Sequence, residues 1–117
     1  MSDTQKDFYK KLLGKTGERL TCKTLKKAGY KVVLKNYVTR YGEADIVAEK
    51  DGETVFVEVK TRSGDSYGAP KDAVNYKKQD KYRKIAACYM QATGKENVTF
   101  AVAEVSEGKV DIIFNAF

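Results

Sequence analysis

Asp45, Glu58 and Lys60 are the residues of this chain whose types and spacing can do chemistry. They fall in the run GEADIVAEKDGETVFVEVKTR, residues 42–62. Between them, Asp51-Gly52 is a strong hairpin signal. Asp45 lies as far before Asp51 as Glu58 lies after Gly52. A two-residue turn therefore sets the two carboxyls opposite each other on neighbouring strands, which run about 4.8 Å apart. Alternation puts Glu43, Asp45, Val47 and Glu49 on one face, and Ala44, Ile46 and Ala48 on the apolar other. Across the turn, Phe56, Glu58 and Lys60 share a face, and Val55, Val57 and Val59 take the opposite one. Carboxylates that close repel unless a cation joins them. Oxygen-only ligation suits Mg²⁺ or Mn²⁺. Lys60, pointing the same way as Glu58, can orient an attacking water or help deprotonate it, and offset charge on a phosphate. The plainer alternative is a cross-strand salt bridge on a surface face. Against it, both strands are apolar enough to be largely buried, where clustered charge is costly without a purpose. The flanking Arg40 and Arg62 can add phosphate contacts.

The elements that must position these residues follow from patterning. Residues 4–28 read as a helix capped by Asp3 or Thr4, with Phe8, Leu12, Leu13, Leu20, Leu25 and Ala28 as its apolar stripe and Gly29 closing it. Strands are expected over 30–39, 43–49 and 55–61. Residues 63–70, holding the only proline, read as a loop. A second helix is expected over 71–93 with Gly94 at its end, then strands over 98–105 and 110–114 joined by a Glu107-Gly108 turn. The order helix-strand-strand-strand-helix-strand-strand implies an α/β fold. A hairpin-joined antiparallel trio and a helical crossover to another strand make a mixed sheet with helices on its faces. A length of 117 residues suits one domain, 1–117, with one core.

Composition narrows the chemistry. There is no histidine, which removes Ser-His-Asp and Cys-His nucleophile systems. Two distant cysteines, Cys22 and Cys88, cannot make an ordinary zinc site and read as buried free thiols. Hydrolysis must then use carboxylates, lysine or a metal. Hydrophobic content of 42% and charged content of 32% fit a soluble globular protein. No run of 18 apolar residues is present, and the N-terminus lacks the apolar core of a signal peptide. No membrane association and a cytoplasmic location are the expectations. The net charge of +6 points to an anionic partner, nucleic acid first, with a solvated lysine-rich surface as the plain alternative.

The acids and lysine resemble the motif of the PD-(D/E)xK nuclease superfamily, as Asp45 followed by Glu58-Val59-Lys60. The fuller pattern resembles the YraN-like family, small bacterial proteins regarded as candidate endonucleases. It runs through Gly17-Glu18, Gly29-Tyr30, Asn36, Arg40, Gly42 to Val47, Val55 to Lys60, Arg62, Tyr67-Gly68, Ala73-Val74, Lys78-Gln79 and the ending Asn115-Ala116-Phe117. Ala44 stands where the superfamily has proline and the closer family usually isoleucine; neither is a ligand. Thr99-Phe100-Ala101 replaces the usual Arg-Phe-Asp, which puts a role for that strand in doubt. The resemblance implies a restriction-endonuclease-like fold and Mg²⁺- or Mn²⁺-dependent hydrolysis of DNA phosphodiesters. It also implies metal ligation by Asp45, Glu58, the backbone carbonyl of Val59 and Glu18 as an accessory acid, with Lys60 acting on the water. Structured or branched DNA in repair or recombination is the expected setting.

Other residues carry two readings each. Glu18 is a site acid or a surface partner of Lys15 or Lys23. Glu43 supports the metal or pairs with Arg40 or Arg62. Gln79 and Lys78 reach the water or phosphate, or belong to a solvated face with Lys77, Lys81 and Lys84. Arg40, Arg62, Lys78 and Lys81 are the expected nucleic-acid contacts. Tyr37, Tyr41, Tyr67, Tyr76 and Tyr82 can stack bases or simply pack. No recognition helix or zinc module supports base-specific reading. Small size without a specificity element argues for a helper role or a homodimer. The alternative function is a non-catalytic DNA-binding module of the same fold within a repair or recombination assembly; a structural interaction protein is the third.

Overall fold

The computed structural model describes residues 2–62 and 74–117. The expected loop 63–70, the start of the second helix at Lys71, and the roles of Tyr67, Gly68 and Ala73 lie outside the described residues. The elements follow the expected order: α1 (Asp3–Lys27), β1 (Lys31–Thr39), β2 (Gly42–Lys50), β3 (Glu53–Arg62), α2 (Tyr76–Thr93), β4 (Val98–Ser106) and β5 (Lys109–Ile113). The strands form one mixed sheet in the order β1-β2-β3-β4-β5. The pairs β1–β2, β2–β3 and β4–β5 are antiparallel, and β3–β4 is parallel. A parallel neighbour requires a long crossover, and α2 is the part of it that is described.

The two helices cover opposite faces. Ile46, Ala48, Val55, Val57, Ala101 and Ala103 form one apolar layer with Cys22 and Leu25 of α1. Ala44, Val47 and Phe56 form the other with Tyr82, Ile85, Ala86 and Tyr89 of α2. Both cysteines are free, as expected, although Cys88 is only half-buried. No described helix is long and apolar enough to cross a membrane.

Three expectations about the helices are corrected. Ser2, not Asp3 or Thr4, caps α1, in a reciprocal box with Gln5: Gln5 N–H donates to Ser2 Oγ at 3.2 Å and Ser2 N–H to Gln5 Oε1 at 2.8 Å. The apolar stripe of α1 does not pack along its length. Phe8 is 69% and Leu12 53% exposed, and every residue from 2 to 12 is exposed. At about 1.5 Å per residue the helix outruns the sheet face it covers, so among the described residues its first turns have nothing to bury against. Full burial begins at Gly17, where an added Cβ would collide with Thr61 Oγ1, and recurs at Thr21, Cys22 and Leu25. Finally, α2 starts at Tyr76 because Asn75 caps it, its Oδ1 accepting the Lys78 N–H at 2.9 Å.

The hairpin register came out as expected. Asp51 and Gly52 both take positive φ, and Lys50↔Glu53 closes over them. Pairing runs from there to Ile46↔Val57 and stops one step short of Asp45 and Glu58. The expected face alternation in β2 holds only beyond that point. Ala44 packs in the α2 layer with Val47, while Ile46 packs in the α1 layer, so the pleat loses phase around Asp45. Opposite this point Asn36 of β1 adopts a left-handed conformation, φ 53°. Asp45 therefore does not share a face with Val47 and Glu49; it sits at the parting of β2 and β3.

Candidate active site

The parting of β2 and β3 is what lets the acidic residues meet. Asp45 Oδ2 spans the gap and accepts the Val59 N–H at 2.8 Å, replacing a ladder bond with a side-chain one. Its own N–H approaches the Tyr82 hydroxyl at 3.4 Å. Glu58 is 5% exposed and turned toward α2. One of its oxygens accepts from the Tyr82 hydroxyl, and the other meets the ammonium of Lys78 and, at 3.4 Å, that of Lys60. Phe56, Glu58 and Lys60 thus share the α2-facing side, as strand periodicity predicts.

The two carboxyls are in opposite electrostatic situations. Burial, then the negative charge of Glu58, raises Asp45 to about 7, and the Val59 N–H only partly opposes them. Burial also pushes Glu58 upward, but hydrogen bonds from Lys78 and Tyr82 and the positive charges of Lys78 and Lys60 outweigh it, so Glu58 lies below its ordinary value. Lys60 is lowered by burial and by competition with Lys78 for Glu58. Lys78 is raised, because its contact with Glu58 overcomes its own burial. Burial and the adjacent Glu58 and Asp45 charges keep Tyr82 protonated far above the usual phenol range.

Glu18 lies on the other approach. It shares a cleft of about 430 Å³ with Lys10, Gly14, Asp45, Val59 and Thr61. Burial, then repulsion from Glu43, raises its carboxyl. With its amide oriented to satisfy both acceptors, Asn36 donates to Glu43 Oε1 at 2.8 Å and to Glu18 Oε1 at 3.1 Å. The left-handed bend at Asn36 thus ties β1 to both acids. Neither Glu18 nor Glu43 forms a salt bridge with the lysines or arginines expected to pair with them, among the described residues.

The remaining expected residues are dispersed. Gln79 donates its amide to Val74 O at 3.1 Å. Arg62 pairs with Glu104 at 2.9 Å. Arg40 lies over the ring of Tyr41 and donates to its hydroxyl at 2.8 Å. Lys81 lays its stem against Gly42. Tyr82 is fully buried, which removes it from the base-stacking candidates, and Tyr37 packs edge-on against Tyr89. Tyr41 and Tyr76 stay exposed.

Sequence reasoning missed Asn36 and Tyr82 as site-building residues and did not bring Lys78 to Glu58. A signal existed for the last two. Lys78 and Tyr82 are one turn apart, in line with the buried Ile85, Ala86 and Tyr89, so a lysine and a phenol are carried in on the core-facing row.

Among the described residues no three Asp, Glu, Cys or His side chains make a ready metal cage. The donor set still fits a hard cation. Asp45 is half-buried beside Glu58 and near Glu18, with excess negative charge, and Val59 adds backbone oxygen from the same cleft.

Residues 17–114 match the model described as "Uncharacterised protein family UPF0102". A UPF0102 protein of Alkaliphilus metalliredigens is 45% identical over 112 residues, covering 92% of this chain and 98% of that protein. One of Syntrophomonas wolfei is 40% identical over 111 residues, covering 90% and 96%. One of Thermodesulfovibrio yellowstonii is 42% identical over 106 residues, covering 90% and 95%.

Proposed function

From the premise that this chain belongs to the UPF0102 family, the YraN-like family its motifs resemble, we propose that it is a metal-dependent nuclease hydrolysing DNA phosphodiesters. The observation that carries this reading is the bond from Val59 N–H to Asp45 Oδ2 across the parted strands. It tethers Asp45 to the strand that carries Glu58 and Lys60, which supports a shared site of the kind the nuclease motif implies.

Asp45, Glu58, the Val59 carbonyl and Glu18 are the residues that would hold Mg²⁺ or Mn²⁺. When bound, the metal supplies Lewis acidity and a lowered pKa for water. The protein's own groups do the rest. Val59 N–H fixes one oxygen of Asp45, leaving the other for ligation. Tyr82 fixes Glu58 from the core side, so the carboxylate cannot rotate away. Lys60 is partly desolvated and has its pKa lowered, which suits it to orient the attacking water and accept its proton. Lys78, held charged beside Glu58, is suited to the negative charge growing on the phosphate.

The test is cleavage of duplex, single-stranded, flap and four-way-junction DNA with Mg²⁺ and with Mn²⁺. Metal-dependent products absent from Asp45→Asn support the reading; no products from any substrate refute it. One observation favours the second reading, a DNA-binding module without turnover. Both oxygens of Glu58 already have partners, so that carboxylate is satisfied without a cation.

A further inference from the structure

A second concavity adjoins the acidic site from the α2 side. Its volume is about 440 Å³, and it is lined by Tyr41 and Asn75 with Lys77, Lys78, Lys81 and Lys84. Four lysines face one carboxylate there, Asp80, whose bond to Lys84 is between exposed groups and therefore weak. Among the described residues, neither Lys77 nor Lys81 has a carboxylate partner. The wall opposite is aromatic: Tyr41 is 38% exposed at the β1–β2 turn. Arg40 lies 4.8 Å and Lys84 5.9 Å from the centre of its ring.

The turn is held against the helix. Gly42 has φ 133°, and a Cβ there would stand 2.8 Å from Lys81 Cδ, so the Lys81 stem packs directly on the backbone beside Tyr41. Lys78 joins the two concavities, lining this one while its ammonium rests on Glu58. A strand whose phosphate sits at Lys78 would therefore place its neighbouring nucleotide beside Tyr41.

We propose that this pocket seats one unpaired nucleotide of the DNA strand entering the acidic site. Its base stacks on Tyr41 and its phosphate lies among Lys77, Lys81 and Lys84. The pocket would thus select strands with single-stranded character over intact duplex, in which stacked, paired bases cannot present a face to Tyr41. This deepens the proposed function and rests on it. An unpaired ribonucleotide offers the same base and phosphate, so an RNA strand of the same sequence must be compared.

The experiment is fluorescence anisotropy in EDTA, where no cleavage occurs, with a short labelled single strand, the blunt duplex of the same sequence, and the RNA strand. Wild type is expected to bind the single strand roughly tenfold more tightly than the blunt duplex. Tyr41→Leu should lose roughly tenfold on the single strand and little on the duplex, and Tyr41→Phe should restore the loss. Lys77→Ala and Lys81→Ala should each reduce the salt slope for the single strand by about 0.7. Equal binding of single strand and duplex by wild type, or equal losses for Tyr41→Leu on both, overturns the pocket. Tighter binding of RNA than DNA overturns the DNA assignment. Should Tyr41→Leu fail to fold by circular dichroism, the salt slopes of the two lysine variants decide. Single-strand preference without cleavage under any metal would sink the nuclease reading alone; cleavage of blunt duplex without preference would sink the pocket alone.

Discussion

Asp45 and Glu58 carry the same chemical group, one half-buried and the other buried, yet the protein treats them oppositely. Glu58 faces α2, where Tyr82, Lys78 and Lys60 surround it and hold it ionised. Asp45 faces Glu58 on one side and the Glu18 cleft on the other, with one backbone N–H in compensation, and is raised to about 7. Two charge environments thus meet at the parting of β2 and β3. Around Asp45 the acids Glu18, Glu43 and Glu58 gather and suit a cation; around Glu58 the ammoniums of Lys78 and Lys60 gather and suit an anion. A metal-dependent phosphodiesterase needs both, next to each other.

The largest effect should fall where the two environments join. Lys60 sits at that boundary, paired with Glu58 and partly desolvated. Lys60→Ala should cut cleavage by on the order of 10²-fold or more while changing DNA affinity only several-fold. Single-turnover rates and anisotropy on one substrate separate the two quantities. Undiminished cleavage would leave the fold standing but remove the assigned chemistry.

Next come the two acids, whose replacements should move stability in opposite directions without metal. Asp45→Asn keeps an acceptor for Val59 N–H and removes a repelling charge, so its melting temperature in EDTA should exceed that of wild type. Glu58→Gln leaves two ammoniums with a neutral partner and should cost about 1–3 kcal/mol. Calorimetric Mn²⁺ binding should disappear in Asp45→Asn. Thermal scans shifting the same way for both variants would break the comparison.

The pH dependence of the metal-free protein offers a gentler test. Asp45 rises from an ordinary 3.8 to about 7 on folding, so the native state binds more protons than the unfolded chain between those values. Its contribution is fully present below the unfolded value and is lost as pH rises through about 7. The raised Glu18 acts in the same direction. Glu58 is lowered, so its contribution fails only on acidification below its ordinary 4.5. Stability by urea titration in EDTA should therefore fall by roughly 1–3 kcal/mol between pH 5 and 7.5, less than an isolated group would give because the carboxyls share their charge. Mn²⁺ should flatten the slope. A metal-free stability that climbs over this range would contradict the picture of Asp45.

The contrast between the carboxyls also marks where sequence reasoning succeeds. A two-residue turn has few conformations, so Asp51-Gly52 set the hairpin register, and with it the meeting of Asp45 and Glu58, before any tertiary contact was considered. The β3 faces were legible for the same reason: that strand keeps its pleat through Lys60. The β2 faces were not. Period-two reading assumes an unbroken ladder, and this one parts where Asp45 needs to reach Val59, opposite a left-handed Asn36. Nothing local at Ala44 announces that it will pack beneath α2. The tail of α1 was misread because periodicity reports an apolar stripe and not whether a partner lies alongside it; Phe8 and Leu12 have the spacing and no partner among the described residues. Tyr82 was illegible in a different way. Its row is apolar enough to read as core, and it is core, but its hydroxyl ends on a carboxylate from a strand 24 residues away.

The smallest expected effect probes the α1 side alone. Glu43 is exposed, accepts from Asn36 at 2.8 Å, and is the second cause, after burial, of the upward shift at Glu18. Glu43→Gln retains an acceptor for the Asn36 amide and removes one negative charge from the Glu18–Asp45 neighbourhood. Because the charge is exposed and screened, the gain in metal-free melting temperature should be only about a degree or two at low salt, and smaller in high salt. The more telling readout is Glu18 itself, whose carboxyl ¹³C titration should move to lower pH in the variant while that of Glu58, held by Lys78, Lys60 and Tyr82, moves less. An equal shift at Glu58 would mean that the two charge environments are one.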